Sequence, residues 1–400
     1  MSATSPVGAS VTLEDLECDP HPVLARLREH EPVSWVPALN AWVVTRRDLA
    51  LQVMRDPIVF TVDDPRFSTA RVVGQSMLSL DGPEHQRHRA PFARPFRLDA
   101  VRERFVPIVE NEVDRLIGEV ELDGAADLRK VIAGPLSVEV MVRALGLEET
   151  DPREALGWYS AIVAEVTSIT AGAAPDGSGT EAFARLCASV EPALDRDPAR
   201  SLVAAAAATS GGLTRDQVAS NAAVLLFGGI ETTEAMITNA FFHLLSNPSE
   251  RALVDAVPGL LAGAVEESLR LEPAAAVVDR YVTCETQLAG VSLAKGDLVT
   301  VSLAGANRDP SVFADPDRFD VRRRNVNLQV GFAHGPHVCL GMHLARLEAQ
   351  IALRDALHRL EGLRLDPDRP SAPRGLVFRK PSSLWALWDL PRLEPAGLIA

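Results

Sequence analysis

Cysteine is scarce in this chain: four in 400 residues, at positions 18, 187, 284 and 339, with no CxxC pair. That excludes a disulfide framework and a paired-thiol metal motif, and a reducing cytoplasm is the expected setting. No apolar run is long enough for a membrane span. The most apolar stretches, 202–208 and 222–230, fall far short of the ~18–20 residues required. The N-terminal MSATSPVGASVTLEDLE has neither a basic start nor an apolar core, so no signal peptide is expected. An excess of positive charge is missing too: 40 basic against 54 acidic residues leave a net −14. A general nucleic-acid binder lives on phosphate neutralisation and is excluded. Only three of the basic residues are lysines (130, 295, 380), a bias that fits a GC-rich coding genome and by itself implies no function. Glycine (26) and proline (28) are too few for collagen-like or low-complexity classes. There is no fixed-period repeat and no Ser/Gly/Pro linker.

What remains is an ordinary globular composition, 47% hydrophobic and 24% charged, with chain enough to bury a full core without staples. Residues 1–12 read as a flexible N-terminal tail and 13–400 as a single domain. PVSW and AWVVTR, within 32–46, alternate around a turn and predict a β-hairpin. Helical periodicity then dominates to Arg270, clearest at 100–120, 136–145, 155–170 and 181–194. GAAPDGSGT, 172–180, predicts a loop. Thr214-Arg-Asp-Gln217 is a capping-box signature that opens a long helix, stopped near Ser246 by Asn247-Pro248. Gly228 and Gly229 lie inside it and cost roughly 1 kcal/mol each relative to Ala. Either a neighbouring helix packs close there, or something flat approaches the backbone. Beyond Arg270 come short β-like pieces (277–283, 299–303), an irregular NRDPSVFADPDRFD (307–320), an amphipathic helix over about 340–360, and strands and turns from 375 to 390. The fold class is mainly α with a smaller β-rich region.

The densest cluster of metal-ligand types is His334, His337, Cys339 and His343. A zinc site is one reading, but no CxxC or HxxxH pair supports it. The full stretch, Phe332-Ala333-His334-Gly335-Pro336-His337-Val338-Cys339-Leu340-Gly341, closely resembles the haem-ligand loop of the cytochrome P-450 superfamily, F-G-x-G-x-H-x-C-x-G. Ala333 stands where Gly is usual. The resemblance makes Cys339 the ligand of a haem b iron. A cysteine at a helix N-terminus is expected to have a lowered pKa, and Gly335 and Gly341 let the backbone lie against a porphyrin.

Matching pieces follow in order from about residue 17 to 390. Glu267-Ser-Leu-Arg270 lies 72 residues before the cysteine. An ExxR is uninformative alone, since Glu84/Arg87, Glu112/Arg115 and Glu361/Arg364 repeat it. With the irregular stretch behind it, it resembles the family's buried triad, whose third member by place in Pro-x-Arg-Phe is Arg318. DGPEHQRHR (81–89) resembles the H-x-x-x-R helix, so the resemblance assigns His85, Arg89, Arg280 and His337 to the haem propionates. Gly228-Gly229-x-Glu231-Thr232 resembles A-G-x-[DE]-T, the oxygen-activation motif: the glycines pass the haem face and the acid–alcohol pair supplies protons. His88, His334 and His343 take no role by motif.

The resemblance thus implies a soluble, cytoplasmic, monomeric cytochrome P-450 monooxygenase. It would hydroxylate or epoxidise a small, largely apolar substrate in bacterial secondary metabolism. Electrons would come from a ferredoxin and its NAD(P)H-dependent reductase, docking near Arg87, Arg94, Arg97 and Arg346. A peroxide-driven haem enzyme and a non-catalytic haem-binding or carrier-docking module are the competing classes; the intact Glu231–Thr232 pair argues against both. The pocket is expected to draw on 67–80, the helices flanking 172–180, Val224, Phe227, 276–278 and 382–384. Arg66 and Arg71 are either ligands for a substrate carboxylate or solvated surface charges.

Overall fold

A computed structural model describes residues 6–390 except 148, 171–173, 199–200 and 210–211. The first two residues of the 172–180 loop, the first five of the tail and the last ten of the domain thus lie outside the described residues. The helices that build the site are α1 (Arg47–Arg55), α2 (Gly82–Ala93), α3 (Leu98–Val120), α4 (Gly134–Leu145), α5 (Pro152–Thr170), α6 (Ser178–Ala193), α7 (Arg215–Ser246), α8 (Leu261–Leu271) and α9 (Met342–Arg359).

The periodic segments fold as helices because one face of each meets a shared core. In α3, Phe105, Val109, Val113, Leu116 and Ile117 recur at helical spacing and are all buried. They join a single cluster with residues of α4, α7, α8 and α9. Each such side chain removed from water contributes about 1.5–3 kcal/mol, so Phe105→Ala would cost about 3–5 kcal/mol. The start of α7 is chemically specified. The Thr214 hydroxyl accepts from the Gln217 N–H at 3.2 Å, and the Thr214 N–H donates to Gln217 Oε1 at 3.1 Å.

Strands β1 (Val33–Val36), β2 (Ala41–Val44), β3 (Phe60–Thr61), β4 (Val277–Val282) and β5 (Leu298–Ser302) form one sheet in the order β1-β2-β5-β4-β3. The expected hairpin is there: Trp35 pairs with Trp42 across it, rings 5.5 Å apart edge to face, and Asn40 takes the left-handed turn position. Its β2 strand then runs parallel to β5, a long-range pairing that no local pattern encodes. The sheet carries its own apolar layers, apart from the helical core.

The tail is shorter than expected. Gly8–Ser10 make a 3-10 turn, Val11 is buried, and the Val7 and Gly8 N–H groups donate to the Glu31 carboxylate at 3.0 and 3.1 Å. Glu31, far away in sequence, supplies the anchor for backbone that would otherwise be left to water.

Candidate functional site: a cysteine loop, a buried cation cluster and a glycine-bearing helix

The loop that ends in Cys339 is built from tight turns. The Cys339 N–H donates to the Phe332 carbonyl at 2.9 Å and that of Val338 to Gly335 at 3.1 Å. Gly335 has φ +76, and a Cβ there would lie 2.3 Å from the Met54 carbonyl oxygen, so glycine seats the loop against α1. Ala333 adopts φ +59, the left-handed region, at the position where the sequence departs from the usual Gly. Cys339 sits just before α9, as expected, but its thiol is not lowered. Burial pushes it up, against the Gly341 N–H and the Arg89 and Arg346 charges that pull it down. The helix end alone does not make the thiolate; a metal cation bound to the sulfur would.

His85, Arg89, Arg280 and His337 come together beside this loop. The His85 and His337 rings lie 4.3 Å apart. His337 Nε2 is 2.8 Å from Asp81 Oδ1, while Asp81 Oδ2 accepts from the Thr61 hydroxyl at 2.7 Å and the Val62 N–H at 2.8 Å. Arg89 donates to the Val338 carbonyl at 2.6 Å, tying α2 to the cysteine loop. Two features stand out by their incompleteness among the described residues. His85 Nε2 is buried with no hydrogen-bond partner. Arg280 is 5% exposed, donates to the Asp279 carbonyl at 2.7 Å, and has no carboxylate in ion-pair contact. Burial depresses all three groups: His85 falls to about 4, helped by His337 and Arg89, and His337 and Arg280 shift the same way, Asp81 opposing the shift in both. A buried cation and an orphan imidazole nitrogen are what an anionic group would complete. The residues therefore fit the two carboxylates of a haem, which they would hold beside the Cys339 loop.

Helix α7 carries two adjacent glycines, and they have different reasons. A Cβ on Gly229 would lie 2.3 Å from Met141 Sδ, so this glycine admits α4. A Cβ on Gly228 would meet nothing within 4 Å; this glycine faces open space. The close-packing reading holds at Gly229, and at Gly228 the helix presents open space. Thr232 donates its hydroxyl proton to the Gly228 carbonyl, the back-bond a mid-helix Thr often makes. Glu231 is paired with Lys380, 2.7 Å away, and accepts from the Tyr159 hydroxyl. Sequence reasoning missed Lys380, Tyr159, and the further pair Glu234–Arg129 at 2.7 Å. The available signal was the rarity of lysine. Phe227 stacks edge-on with Phe378 at 5.5 Å and lies 6.3 Å from Tyr159.

Other assignments move. The buried Glu267–Arg270 pair, 2.8 Å and fully enclosed, takes Arg323 as its third member at 2.8 Å, not Arg318. Arg318 contributes only its carbonyl oxygen to Arg270, and its side chain is 60% exposed, 3.7 Å from Glu250. Four arginines crowd 318–324, and the chain turns between them, Asp320 donating its N–H to Glu267. Arg66 is paired with Asp64 at 2.8 Å and lies over the Tyr281 ring; Arg71 is exposed. Both fit the surface reading. Arg87 is spent on Glu84 and Gln217, and Arg346 on Glu266 at 2.5 and 3.0 Å while stacking on Phe332. Arg94 and Arg97 remain exposed and outside any described ion pair, with Arg55 and Arg102 also exposed. The zinc reading fails on geometry, since among the described residues no three acidic, His or Cys side chains converge for a metal. No helix among them is long and apolar enough to cross a membrane.

Comparison with known proteins bears on the same features. A family model described as Cytochrome P450 matches residues 259–385. Cytochrome P450 monooxygenase PikC of Streptomyces venezuelae is 36% identical over 366 residues, covering 88% of this chain and 86% of its own. The mycinamicin IV hydroxylase/epoxidase of Micromonospora griseorubida is 33% identical, covering 90% and 94%. The solved structure of CalO2 superposes with a TM-score of 0.84 at 30% identity, covering 98% of this chain and 100% of that one. The cysteine loop, the incomplete cation cluster, the whole-length fold and these similarities lead to one conclusion: the chain belongs to the cytochrome P450 family and is a haem-dependent monooxygenase.

Proposed function

We propose that this enzyme hydroxylates or epoxidises a small, neutral, largely apolar natural product, with one haem b per chain held by Cys339. The observation that carries the reading is the unfinished anion site. Arg280 and His85 are buried and lack an anionic partner, and Arg89 and His337 stand beside them at the edge of the Cys339 loop. A haem b would place its two propionates there. A haem held by a thiolate supplies the activation of dioxygen, because electron push from sulfur favours O–O cleavage. The chain does the rest. Gly228 leaves room above the macrocycle. Phe227, Phe378 and Tyr159 offer an aromatic wall that excludes water. The Thr232 hydroxyl, turned from its bond to the Gly228 carbonyl, would hold a proton for the reaction, and Glu231 would replenish it. Arg66 is paired with Asp64 and Arg71 is exposed, so both fit surface charges rather than ligands for an acidic substrate, which favours a neutral one.

The relative whose name gives hydroxylase and epoxidase supports both oxidations as candidates, and the relatives' secondary-metabolite chemistry supports that role here. Electrons would come from a ferredoxin and its reductase, at the exposed arginines 94, 97 and 102. The enzyme is taken to act as a monomer. The test is spectroscopic. Cys339→His should keep part of its haem but lose the strongly red-shifted Soret band of the ferrous–CO complex, while Cys18→Ser, Cys187→Ser and Cys284→Ser keep it. A Cys284→Ser variant that loses the band while Cys339→Ser keeps it overturns the assignment. Spin-shift titration with matched neutral, acidic and basic natural products tests the substrate class, and tighter binding of an acid or a base than of its neutral counterpart would overturn it.

A further inference from the structure

Both oxygens of Glu231 are occupied. Oε1 lies 2.7 Å from Lys380 Nζ, and Oε2 accepts from the Tyr159 hydroxyl on α5. The same ammonium reaches Glu234 Oε2 at 2.6 Å, and Glu234 Oε1 faces Arg129 Nε at 2.7 Å. Arg129 in turn donates to the Ser382 carbonyl at 2.6 Å, which fastens the C-terminal loop to the same unit. The side chains are 11% exposed for Lys380 and Glu234, 16% for Glu231 and 27% for Arg129. Two acids and two cations balance, so charge pairing alone would account for a cation at position 380.

It does not account for a lysine. The chain has three lysines among its 40 basic residues, and the other two, Lys130 and Lys295, are exposed. A guanidinium pairs a carboxylate with better geometry. The preceding residue does so: Arg379 is buried and holds Glu272 at 2.6 Å. What an ammonium offers and a guanidinium does not is a proton that can leave. Lys380 touches the acid of the Glu231–Thr232 pair and keeps an edge in solvent.

We propose that Lys380 is the proton donor that reloads Glu231, with Tyr159 as the positioning residue that holds the carboxylate in place. This rests on the Glu231–Thr232 reading above. A proton leaves Lys380 Nζ for Glu231 Oε1, giving a neutral amine beside a neutral acid. Glu231 passes a proton on toward Thr232, and Lys380 regains one from water, so charge and atoms balance over a cycle. Glu234 and Arg129 set the field around this exchange. Tyr159 keeps its own proton, because burial first and the Glu231 charge second push its phenol well up.

The experiment compares Lys380→Arg and Lys380→Met holoenzymes with Glu231→Gln and Thr232→Ala, using any compound that shifts the spin state. Product per NADH, peroxide release and the solvent isotope effect are read. Lys380→Arg preserves charge but cannot give up a proton. It should keep haem and substrate binding and still slow the proton-dependent step by about 10²-fold, as Lys380→Met does. Restoration of wild-type coupling by Lys380→Arg overturns the proposal, because charge then suffices. A second readout needs no turnover. With three lysines, ε-15N-lysine spectra of the ferrous–CO form are assignable, and the signal lost in Lys380→Arg should shift in Glu231→Gln. No shift also overturns it. Full coupling in both Glu231→Gln and Thr232→Ala, with that shift present, removes the relay itself rather than the contact.

Discussion

The assignment of Arg323, rather than Arg318, to the buried Glu267–Arg270 pair can be weighed in energy. Glu267 is fully enclosed and takes two hydrogen bonds from Arg270, both 2.8 Å, and a third from Arg323 at 2.8 Å. Arg323 also donates to the carbonyls of Ala314, Asp315 and Arg318 at 2.6–3.1 Å, so one 7% exposed guanidinium closes the whole irregular stretch. Removing one member of a buried ion pair costs about 3–5 kcal/mol. Glu267 keeps Arg270, which lowers this, but the Ala314 carbonyl loses its donor and those of Asp315 and Arg318 keep only one each, which raises it. Arg323→Met is therefore expected to cost about 3–4 kcal/mol. The Arg318 side chain is 60% exposed, with one contact at 3.7 Å, and Arg318→Met should fall below about 1 kcal/mol. Urea unfolding of the two variants side by side, with the ferrous–CO band as the measure of a correctly seated cysteine loop, decides it. Equal losses, or a larger loss at Arg318, would refute the reasoning.

Three further outcomes are expected. Gly228→Ala should stabilise α7 by roughly 0.8–1.0 kcal/mol, because a Cβ there meets open space, whereas Gly229→Ala should destabilise through Met141; same-sign shifts in the unfolding midpoint would show the two glycines are not distinct. Acid should act in two stages: His243, depressed to about 4 by burial, contributes stability that is full above pH 6.5 and lost as pH falls toward 4, and Glu272, held at about 2 by His21 and Arg379 against the opposing effect of burial, contributes stability lost between pH 4.5 and 2. Each is worth about 3 kcal/mol, so His243→Gln should flatten the stability–pH slope between pH 6.5 and 4 by nearly one proton, and an unchanged slope would contradict the assignment. Charge reversal at Arg94 and Arg97 should slow reduction by an acidic ferredoxin, more so at low salt, and leave substrate binding intact; a rate insensitive to both would place docking elsewhere.

Much of this was legible without coordinates, for physical reasons that differ by feature. Thr214 and Gln217 announce a helix because capping is local: both partners lie within one turn. Helix α3 is readable because its buried residues repeat at the helical period. The cysteine loop is readable through its resemblance to the family's haem-ligand loop, whose residues run consecutively from Phe332 to Gly341. What could not be read is contact between distant segments. The pairing of β2 with β5 joins residues 42 and 299, and the anchoring of Val7 by Glu31 spans 24 residues. Arg318 and Arg323 are the same residue type five positions apart, and only the turn at Asp320 decides which reaches Glu267.

The Glu231 cluster shows where composition becomes informative only after geometry. Three lysines in 40 basic residues looked like coding bias, and for Lys130 and Lys295 the exposed positions fit that reading. Under such a bias an arginine is the default cation wherever charge alone is needed. A lysine placed between two carboxylates therefore stands against the bias, as Arg379 beside it does not. The bias supplies the background against which one residue stands out, and the structure supplies the location that gives the residue a chemical use.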